Sequence, residues 1–346
     1  MNRRAMYISV LLLVSVSGMV SVGEESNPEL VDLGRHLYFE PRLSGDGSMS
    51  CASCHDLNQH GSDGLSLSNG YPGVLYFRRT PSIYNASRRP LFYWDGRLSG
   101  KDMPTLVRDH ISEAHFMQAD GRLVLERLRQ IPYYESTFKE VMGGEPSYGK
   151  ILNAITAFVS TLNVDNAPFD RFIAGEDDAL GPQEKAGWAL FNGKAGCIQC
   201  HSGSDLSDGL FHNTGIPTNP NLFQEPQRHI TFRRFMKTFG VPDYRSRRFD
   251  AGLEIITHDA GDAGKFLTPS LRNLNDAGPY MHNGMMGSLG EVIAHYNTGA
   301  GDLPPLNLNE EEQLDLIAFL KSLKGTPEPV VVPEPMEYEE RVLGEN

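Results

Sequence analysis

Cysteine is scarce in this sequence of 346 residues: there are four, and all of them lie in two short segments, CASCH at 51–55 and CIQCH at 197–201. No cysteine remains for a disulfide framework or for a separate metal site. The chain is therefore not one of the small secreted scaffolds that depend on several disulfides. Any cysteine chemistry must reside in these two segments.

Basic residues are few relative to acidic ones, with 31 lysines and arginines against 44 aspartates and glutamates and a formal net charge of −13. Proteins that bind nucleic acids neutralise the phosphates with a basic surface. We therefore expect no nucleic-acid partner. A docking protein would be basic or neutral where it makes contact.

Long apolar runs are absent after the first two dozen residues. That beginning joins a basic MNRR to an apolar AMYISVLLLVSVSGMV, and Ser21 and Gly23 are small residues at the −3 and −1 positions of a cut after Gly23. The apolar run is short for a membrane span and is interrupted by serines, so we favour a signal peptide over 1–23 rather than an uncleaved anchor. The mature protein would then be exported, to the periplasm where the cell has two membranes, without stable membrane insertion.

The pattern CxxCH occurs in three kinds of site. A zinc site would combine both pairs, which lie far apart in the chain, and would not need a histidine after each. A redox dithiol would need one pair between a strand and a helix, and no strand-like run precedes either copy. Attachment of a c-type haem explains every residue, because the two cysteines bond the haem vinyl groups and the histidine binds the iron. We predict two covalent haems, attached at Cys51, Cys54, Cys197 and Cys200, with iron ligands His55 and His201.

The surroundings of the two haem motifs are repeated in the same order. A helical pattern precedes each motif, a TPS stretch follows it, and an amphipathic helix comes next. The paired segments are 29–39 with 184–191, 78–96 with 266–284, and 103–111 with 288–296. The repeat predicts a mostly α fold of two tandem cytochrome-c-like domains, each wrapped round one covalent c-type haem.

We place the N-terminal domain at 24–165 and the C-terminal domain at 166–325, followed by an extended tail rich in proline and glutamate at 326–346. Asn309 is a suitable N-cap for the last helix and Glu312 completes a capping box. Gly325 is expected to stop that helix as its C′ residue.

The segment 217–265 contains proline, glycine and a cluster of basic residues. We interpret it as a solvated loop, or as a partner for haem propionates, rather than as a docking surface. The basic residues are Arg228, Arg233, Arg234, Lys237, Arg245, Arg247 and Arg248.

Several further motifs occur in a fixed order between about residues 28 and 325: RLSGDGSMSCASCH, RRTPSIYNA, FYWDGR, CIQCHSG, FHNTGIP, FLTPSLRN and PYMHNG. This order resembles the bacterial di-haem cytochrome c peroxidase/MauG superfamily. The resemblance implies that the N-terminal haem is the peroxidatic site and that the C-terminal haem transfers electrons. It also places a tryptophan between the haems at Trp94, as an electron relay rather than only a core residue.

For the sixth position of the C-terminal iron, the resemblance points to Tyr296, where classical relatives have methionine. A phenolate there would stabilise ferric iron, whereas a thioether would favour the ferrous state. Other candidates lie close by in the sequence: Met281, Met285, Met286 and His295.

For the N-terminal iron, the relatives' displaceable loop histidine aligns with Tyr71. His60, the only histidine between His55 and the TPS stretch, is too near the attachment to fold back easily. We therefore expect an open N-terminal iron, with Tyr71 as a loose distal ligand or a loop aromatic.

Peroxide cleavage also needs a distal acid–base group. The glutamate of the relatives aligns with His115, or with Glu113 if a gap is moved. The internal repeat adds His110, because it ends its helix about where Tyr296 ends the equivalent one. All three remain candidates.

The relatives also bind a calcium ion between their domains, and the position of its asparagine ligand is occupied here by Arg79. A guanidinium cannot bind Ca²⁺ but could take its place and bridge the domains. We expect the calcium to be absent or rearranged.

Three functions follow from these assignments. The first is reduction of hydrogen peroxide with electrons from a cytochrome or cupredoxin, and the second is MauG-type, peroxide-dependent oxidation of a partner protein. The third is a non-enzymatic electron carrier, which would need both sixth iron positions filled. Many relatives are dimers, and a homodimer is compatible with the sequence, although no segment specifies an interface.

Overall fold

The computed structural model describes residues 27–274 and 277–338, so the predicted signal peptide lies outside the described residues. Within these ranges the chain is mostly helical. The helices are α1 (Pro28–Tyr38), α2 (Met103–Ser112), α3 (Gly121–Leu128), α4 (Pro132–Met142), α5 (Tyr148–Thr161), α6 (Pro168–Ile173), α7 (Pro182–Asn192), α8 (Asn221–Gln224), α9 (Pro226–Thr238), α10 (Glu254–Thr257), α11 (Leu289–Asn297) and α12 (Glu310–Lys321). None of the helices in the described ranges is both long enough and apolar enough to cross a membrane.

In the described part of the chain, four strands of two residues form two small antiparallel ribbons. The first ribbon pairs β1 with β2, in the register Leu91 opposite Ser99. The second pairs β3 with β4, in the register Phe211 opposite Leu267. The strand bounds are β1 (Leu91–Phe92), β2 (Leu98–Ser99), β3 (Phe211–His212) and β4 (Phe266–Leu267).

Two separate hydrophobic cores follow one another along the chain. The first extends from Leu33 to Val164 and is built around α1 and α5. The second extends from Phe169 to Leu323 and is built around α7 and α12. The mostly helical fold with two successive helical cores confirms the predicted fold class.

The two cores use the same packing device. A Cβ atom on Gly34 of α1 would lie 1.9 Å from the Ala154 carbonyl oxygen of α5, and one on Gly187 of α7 would lie 2.0 Å from the Asp315 carbonyl oxygen of α12. Only glycine lets the helix backbones cross this closely. The repeat seen in the sequence is therefore present in the helix packing as well.

The last helix begins as expected and ends earlier than expected. Asn309 accepts from the Glu312 amide and the Glu312 side chain accepts from the Asn309 amide, which completes the capping box. The prediction that Gly325 is the C′ residue is wrong, because α12 ends at Lys321 with Ser322 as its C-cap. A Cβ on Gly325 would lie 2.4 Å from Cγ1 of Val164, so this glycine allows a close approach to the chain between the two cores.

The interpretation of 217–265 as a solvated loop is also wrong. This segment forms α8, α9 and α10, and Phe232, Phe235 and Met236 of α9 join a third core that includes Phe77 of the N-terminal domain. The sequence of α9 contains three arginines among its apolar residues. These charges favoured the interpretation as a loop, so the apolar face that the helix buries against the other domain was missed.

Two members of the basic cluster are internal. Arg228 is buried and donates to the carbonyl oxygens of Tyr76 and Ser68, the latter at 2.9 Å. Arg247 is buried and pairs with Glu254 at 2.7 Å. These side chains fasten the segment in place rather than extend into solvent.

The chain after α12 lies along the N-terminal domain without forming a helix or strand as far as residue 338. Arg35 of α1 donates to the Val331 carbonyl oxygen at 2.6 Å, and Arg42 donates to that of Met336 at 2.5 Å. Val330 and Met336 pack against the N-terminal core. The segment 330–336 thus contacts the N-terminal domain.

A buried charge cluster joins the two domains. Arg78 is 1 % exposed; its Nε and Nη2 donate to the Asp250 carboxylate at 2.6 and 2.8 Å, and its Nη1 donates to Asp95. Asp95 also accepts from Arg97 at 2.8 Å. Burial alone would raise the pKa of Asp250, but the Arg78 guanidinium holds that pKa below its usual value.

Replacing Gly187 by alanine should destabilise the protein by about 2 kcal/mol or more, because the methyl group would overlap the Asp315 carbonyl oxygen and push α7 from α12. Chemical denaturation of the full-length protein measures the loss. Gly149→Ala on α5 is the matched control, since a Cβ there meets nothing within 4 Å. Equal stability of the two variants would contradict the close-crossing argument.

Asp250→Asn should cost about 3–5 kcal/mol of unfolding free energy, since it leaves Arg78 buried with part of its charge uncompensated. Asp165→Asn is the control because its bidentate pair with Arg88 has side chains that are 53 % and 37 % exposed. We expect about 0–1 kcal/mol there. Similar losses in both variants would show that the buried cluster does not hold the domains together.

Candidate functional site

The first haem motif forms one tight turn. Cys51–Ser53 is a 3₁₀ turn, and the His55 amide donates to the Cys51 carbonyl oxygen at 2.9 Å. The His55 Nδ1 donates to the Gly61 carbonyl oxygen at 3.1 Å. Because Nδ1 carries the proton, Nε2 is left with a free lone pair, which is the form that binds a metal.

The second motif repeats this geometry. Cys197–Gln199 is a 3₁₀ turn, the His201 amide donates to the Cys197 carbonyl oxygen at 2.9 Å, and the His201 Nδ1 donates to the Leu206 carbonyl oxygen at 3.0 Å. Both histidines are thus oriented in the same way by a backbone carbonyl a few residues downstream.

The state of the cysteines disfavours a redox dithiol. All four are unpaired. Burial raises the pKa of Cys51 to about 12 and the pKa values of Cys54 and Cys197 to about 11, whereas a reactive dithiol has a lowered pKa. Unpaired cysteines beside a histidine with free Nε2 fit covalent attachment of a haem, so the donor set of both domains suits this group.

A zinc site is also disfavoured. The one cluster of three ligand types found in the described part of the chain is Cys200, Asp208 and His212. Its cysteine belongs to the second haem motif, and His212 is already bonded to Asp208 at 2.8 Å.

His110 lies opposite His55. The centroids of the two imidazole rings are 6.1 Å apart. The His110 Nδ1 donates to the Leu106 carbonyl oxygen at 2.8 Å, one turn earlier in α2. Its ring stacks on Phe116 at 4.4 Å and on Tyr93 at 5.7 Å. Burial lowers the pKa of His110 to about 4, so the imidazole is neutral at neutral pH.

His115 lies in the same aromatic cluster. Its ring stacks on Tyr76 at 5.1 Å and approaches Phe116 at 4.3 Å. Its Nε2 is buried and finds no hydrogen-bond partner among residues 27–274 and 277–338. Burial lowers the pKa of His115 to about 3. A buried polar atom without a protein partner indicates room for a ligand or water.

Glu113 is not part of this cluster. It is the C-cap residue of α2 and is exposed. Its carbonyl oxygen accepts from the Phe116 and Gln118 amides, so the backbone turns there and carries the next residues inward. The turn brings His115, two positions later, into the aromatic cluster.

Tyr93 and Phe235 were not foreseen from the sequence. The Tyr93 hydroxyl is buried and has no partner within the described ranges, its backbone has a φ of 67°, and the Arg97 guanidinium lies 3.3 Å from its ring centroid. Its one sequence signal was its place beside Trp94. Phe235 reaches His115, at 5.9 Å, from α9 of the other domain, and no local pattern could reveal that contact.

Trp94 lies where the two domains meet. Its Nε1 donates to the Arg79 carbonyl oxygen at 3.0 Å, and its own carbonyl oxygen accepts from the Leu267 amide at 2.9 Å. The Arg79 amide in turn donates to the His282 carbonyl oxygen at 2.8 Å. The indole is therefore held by the Arg79 backbone, and the Trp94 and Arg79 backbones are in turn bonded to the other domain.

The Arg79 side chain is half-buried at this interface. Burial lowers the pKa of its guanidinium, and its Nε has no partner in the part of the chain that the structure describes. A cationic group thus occupies the position where the resemblance placed a calcium ligand. The predicted rearrangement of the calcium site stays a prediction.

Tyr296 lies beside the second haem motif. It is on α11, and Cys197 and Cys200 are near enough to influence its pKa, which burial raises to about 12. Its hydroxyl is 3.9 Å from the Met281 sulfur. His295 is engaged elsewhere, with Nε2 2.8 Å from the Thr214 carbonyl oxygen.

The remaining candidates are placed by backbone contacts. The Met286 carbonyl oxygen accepts from the Tyr280 amide, and the Met285 amide donates to Asn283 at 3.3 Å. Tyr71 packs against Gly45. The His60 carbonyl oxygen accepts from Ser82 at 2.6 Å.

Comparison with known proteins agrees with this geometry. Residues 28–178 match the family described as di-haem cytochrome c peroxidase. The chain is 46 % identical over 323 residues to cytochrome-c peroxidase IdrP2 of Denitromonas iodatirespirans, which covers 92 % of this chain and 88 % of that protein. It is 36 % identical over 316 residues to the methylamine utilization protein MauG of Methylorubrum extorquens, covering 89 % of this chain and 81 % of that protein.

A solved structure has the same fold. The crystal structure of a MauG-like protein associated with microbial copper homeostasis superposes with a TM-score of 0.71 at 28 % identity, covering 86 % of this chain and 89 % of that chain. With relatives this similar over nearly the whole length, the chain belongs to the di-haem cytochrome c peroxidase family.

Proposed function

We propose that this protein is an exported, periplasmic di-haem peroxidase that reduces hydrogen peroxide to water with electrons from a small cytochrome or cupredoxin. The observation that carries the proposal is the pair of CxxCH turns, each presenting a histidine whose Nδ1 donates to a backbone carbonyl oxygen, which leaves Nε2 as the unprotonated nitrogen. The names of the similar peroxidases support the same reaction.

Each residue set has a distinct task in this reaction. Cys51 and Cys54 would attach the N-terminal haem, with His55 as its iron ligand. Cys197 and Cys200 would do the same for the C-terminal haem, with His201. When bound, the haems supply the redox-active iron on which peroxide is reduced and through which electrons pass.

The N-terminal pocket offers groups that can handle protons. Reduction of one peroxide to two waters takes up two electrons and two protons, and the first proton has to move between the two peroxide oxygens. His115 Nε2 and the Tyr93 hydroxyl are buried polar groups of this pocket that lack partners within the described residues. We assign His115 as the proton acceptor because its Nε2 is buried and has no partner within the described residues, and Tyr93 as a hydrogen-bond donor. Glu113, being exposed, is the weaker candidate.

Electrons would travel from the C-terminal to the N-terminal domain past Trp94. The Trp94 indole donates to the Arg79 carbonyl oxygen, and the backbone carbonyl oxygen of Trp94 accepts from the Leu267 amide. The side chain therefore has little freedom to move out of the interface. A fixed aromatic group between two redox centres suits electron transfer.

MauG-type oxidation of a partner protein is the second candidate, and Tyr296 is the observation that favours it. Burial raises the pKa of Tyr296 to about 12, so only a strongly positive neighbour such as ferric iron would hold it as phenolate. Steady-state consumption of peroxide with a reduced cytochrome or cupredoxin separates the two functions. Fast turnover supports the peroxidase, whereas slow turnover would favour oxidation of a partner protein.

Trp94→Phe should lower peroxide turnover by about tenfold or more, while the absorption spectra of both haems stay unchanged. Trp188→Phe is the matched control, because Trp188 is the other tryptophan of the chain and packs between Phe169 and Phe319 in the C-terminal core. Undiminished turnover in Trp94→Phe would refute the relay.

Tyr296→Phe should raise the reduction potential of the C-terminal haem and abolish the phenolate-to-iron absorption, because an anionic ligand favours ferric iron. Met281→Leu is the control, since its sulfur lies 3.9 Å from the same hydroxyl. If Met281→Leu changed the spectrum and Tyr296→Phe did not, Met281 would be the ligand.

A further inference from the structure

The distance between the imidazole rings of His55 and His110 fits two ligands of one metal ion. Their ring centroids are 6.1 Å apart and their planes make an angle of 58°. An imidazole nitrogen lies about 2 Å from a transition metal that it binds, and about 1 Å from the centre of its own ring. Two imidazoles on opposite faces of one iron therefore have centroids about 6 Å apart, which is the separation seen here.

The same distance argues against His110 as an acid–base group. A general base must reach a peroxide oxygen through a hydrogen bond of about 2.6–3.2 Å, and that oxygen would itself stand beyond the iron. A distal base therefore has to lie several ångströms further from His55 than His110 does. His115 shows no ring contact with His55, so it does not face this limit.

The orientation of His110 matches that of a ligand. Its Nδ1 is bonded to the Leu106 carbonyl oxygen at 2.8 Å, so Nε2 keeps a free lone pair, as in His55 and His201. Stacking on Phe116 and Tyr93, with interplanar angles of 13° and 3°, holds the ring in one plane. A side chain fixed this way is preorganised for coordination.

The internal repeat provides an independent argument. Asp102 caps α2 by accepting from the Thr105 amide, and Ser288 caps α11 by accepting from the Glu291 amide. His110 and Tyr296 are each eight residues after their cap. The two domains thus place a side chain from the same helical position near each haem motif.

We propose that His110 is the sixth iron ligand of the N-terminal haem in the resting ferric protein, so that peroxide binds only after His110 is displaced. The proposal relies on the proposed function only in that a haem is attached at Cys51, Cys54 and His55. It replaces the expectation of an open iron. The proposed ligand His110 belongs to a helix. Its release from the iron therefore requires rotation of its side chain or movement of the end of α2.

Electron paramagnetic resonance of the fully ferric, haem-loaded protein tests the proposal directly. We expect two low-spin signals, one from each haem, because both irons carry six ligands. One high-spin signal of full intensity beside one low-spin signal would overturn the proposal. This measurement needs only the wild-type protein.

Variants then identify the ligand. His110→Gly should convert one low-spin signal to high spin, and added imidazole should restore it. His115→Gln is the matched control, at a half-buried histidine of the same aromatic cluster, and it should leave both low-spin signals in place. Loss of a low-spin signal in His115→Gln and not in His110→Gly would overturn the assignment.

His110→Met provides a second test of the ligand if the glycine variant does not fold. A methionine at this position should give the near-infrared absorption band of a thioether bound to ferric iron. A folded His110→Met protein with an unchanged wild-type spectrum would refute the proposal.

Peroxide kinetics separate this proposal from the proposed function. If the open form is about 0.1–10 % populated, removal of the cap should speed the reaction with peroxide by about 10- to 1,000-fold. Two low-spin signals in the wild-type protein, together with no peroxide turnover even in His110→Gly, would refute the peroxidase function. The assignment of His110 as an iron ligand would still stand. Rapid turnover with a high-spin resting iron would refute the cap and leave the function.

Discussion

The buried Arg78 guanidinium is the interaction on which the arrangement of the two domains depends. It lies between Asp95 of the N-terminal domain and Asp250 of the C-terminal domain, with almost no exposure. Desolvating these charges costs free energy that only close pairing on both sides can offset. The cluster is therefore highly sensitive to the relative position of the domains. Trp94 adjoins Asp95 in the chain, so the same contact that orders the interface also holds the indole in it.

Around this contact, the protein uses one domain plan twice and varies it beside the two haem motifs. Gly34 and Gly187 allow the same close helix crossing, and His55 and His201 are oriented by the same kind of carbonyl contact. The difference lies at the eighth residue after the N-cap of α2 and of α11. This residue is His110 in the N-terminal domain and Tyr296 in the C-terminal domain. A neutral imidazole is a displaceable ligand, whereas a phenolate favours ferric iron. Under the proposed assignments, the two haem sites would therefore divide the work of binding peroxide and passing electrons.

The N-terminal pocket also depends on residues from the other domain. Phe235 of α9 packs against His115 and Phe77, and Arg228 binds carbonyl oxygens of the Ser68–Tyr76 region. Burial within this aromatic cluster lowers the pKa values of His110 and His115. A change in the domain interface would reach the proton chemistry of this pocket through Phe235.

The sequence by itself determined the features whose signals are local. The CxxCH spacing predicts the haem attachment residues, the repeated order predicts two helical domains, and the capping box at Asn309 predicts the start of α12. Only the tertiary structure decided the rest. The burial of α9, the close approach that Gly325 permits, and the contact of Phe235 with His115 depend on contacts between segments far apart in the chain. Such contacts leave no periodicity or spacing in one sequence, because the partner of each residue is set by how the helices pack.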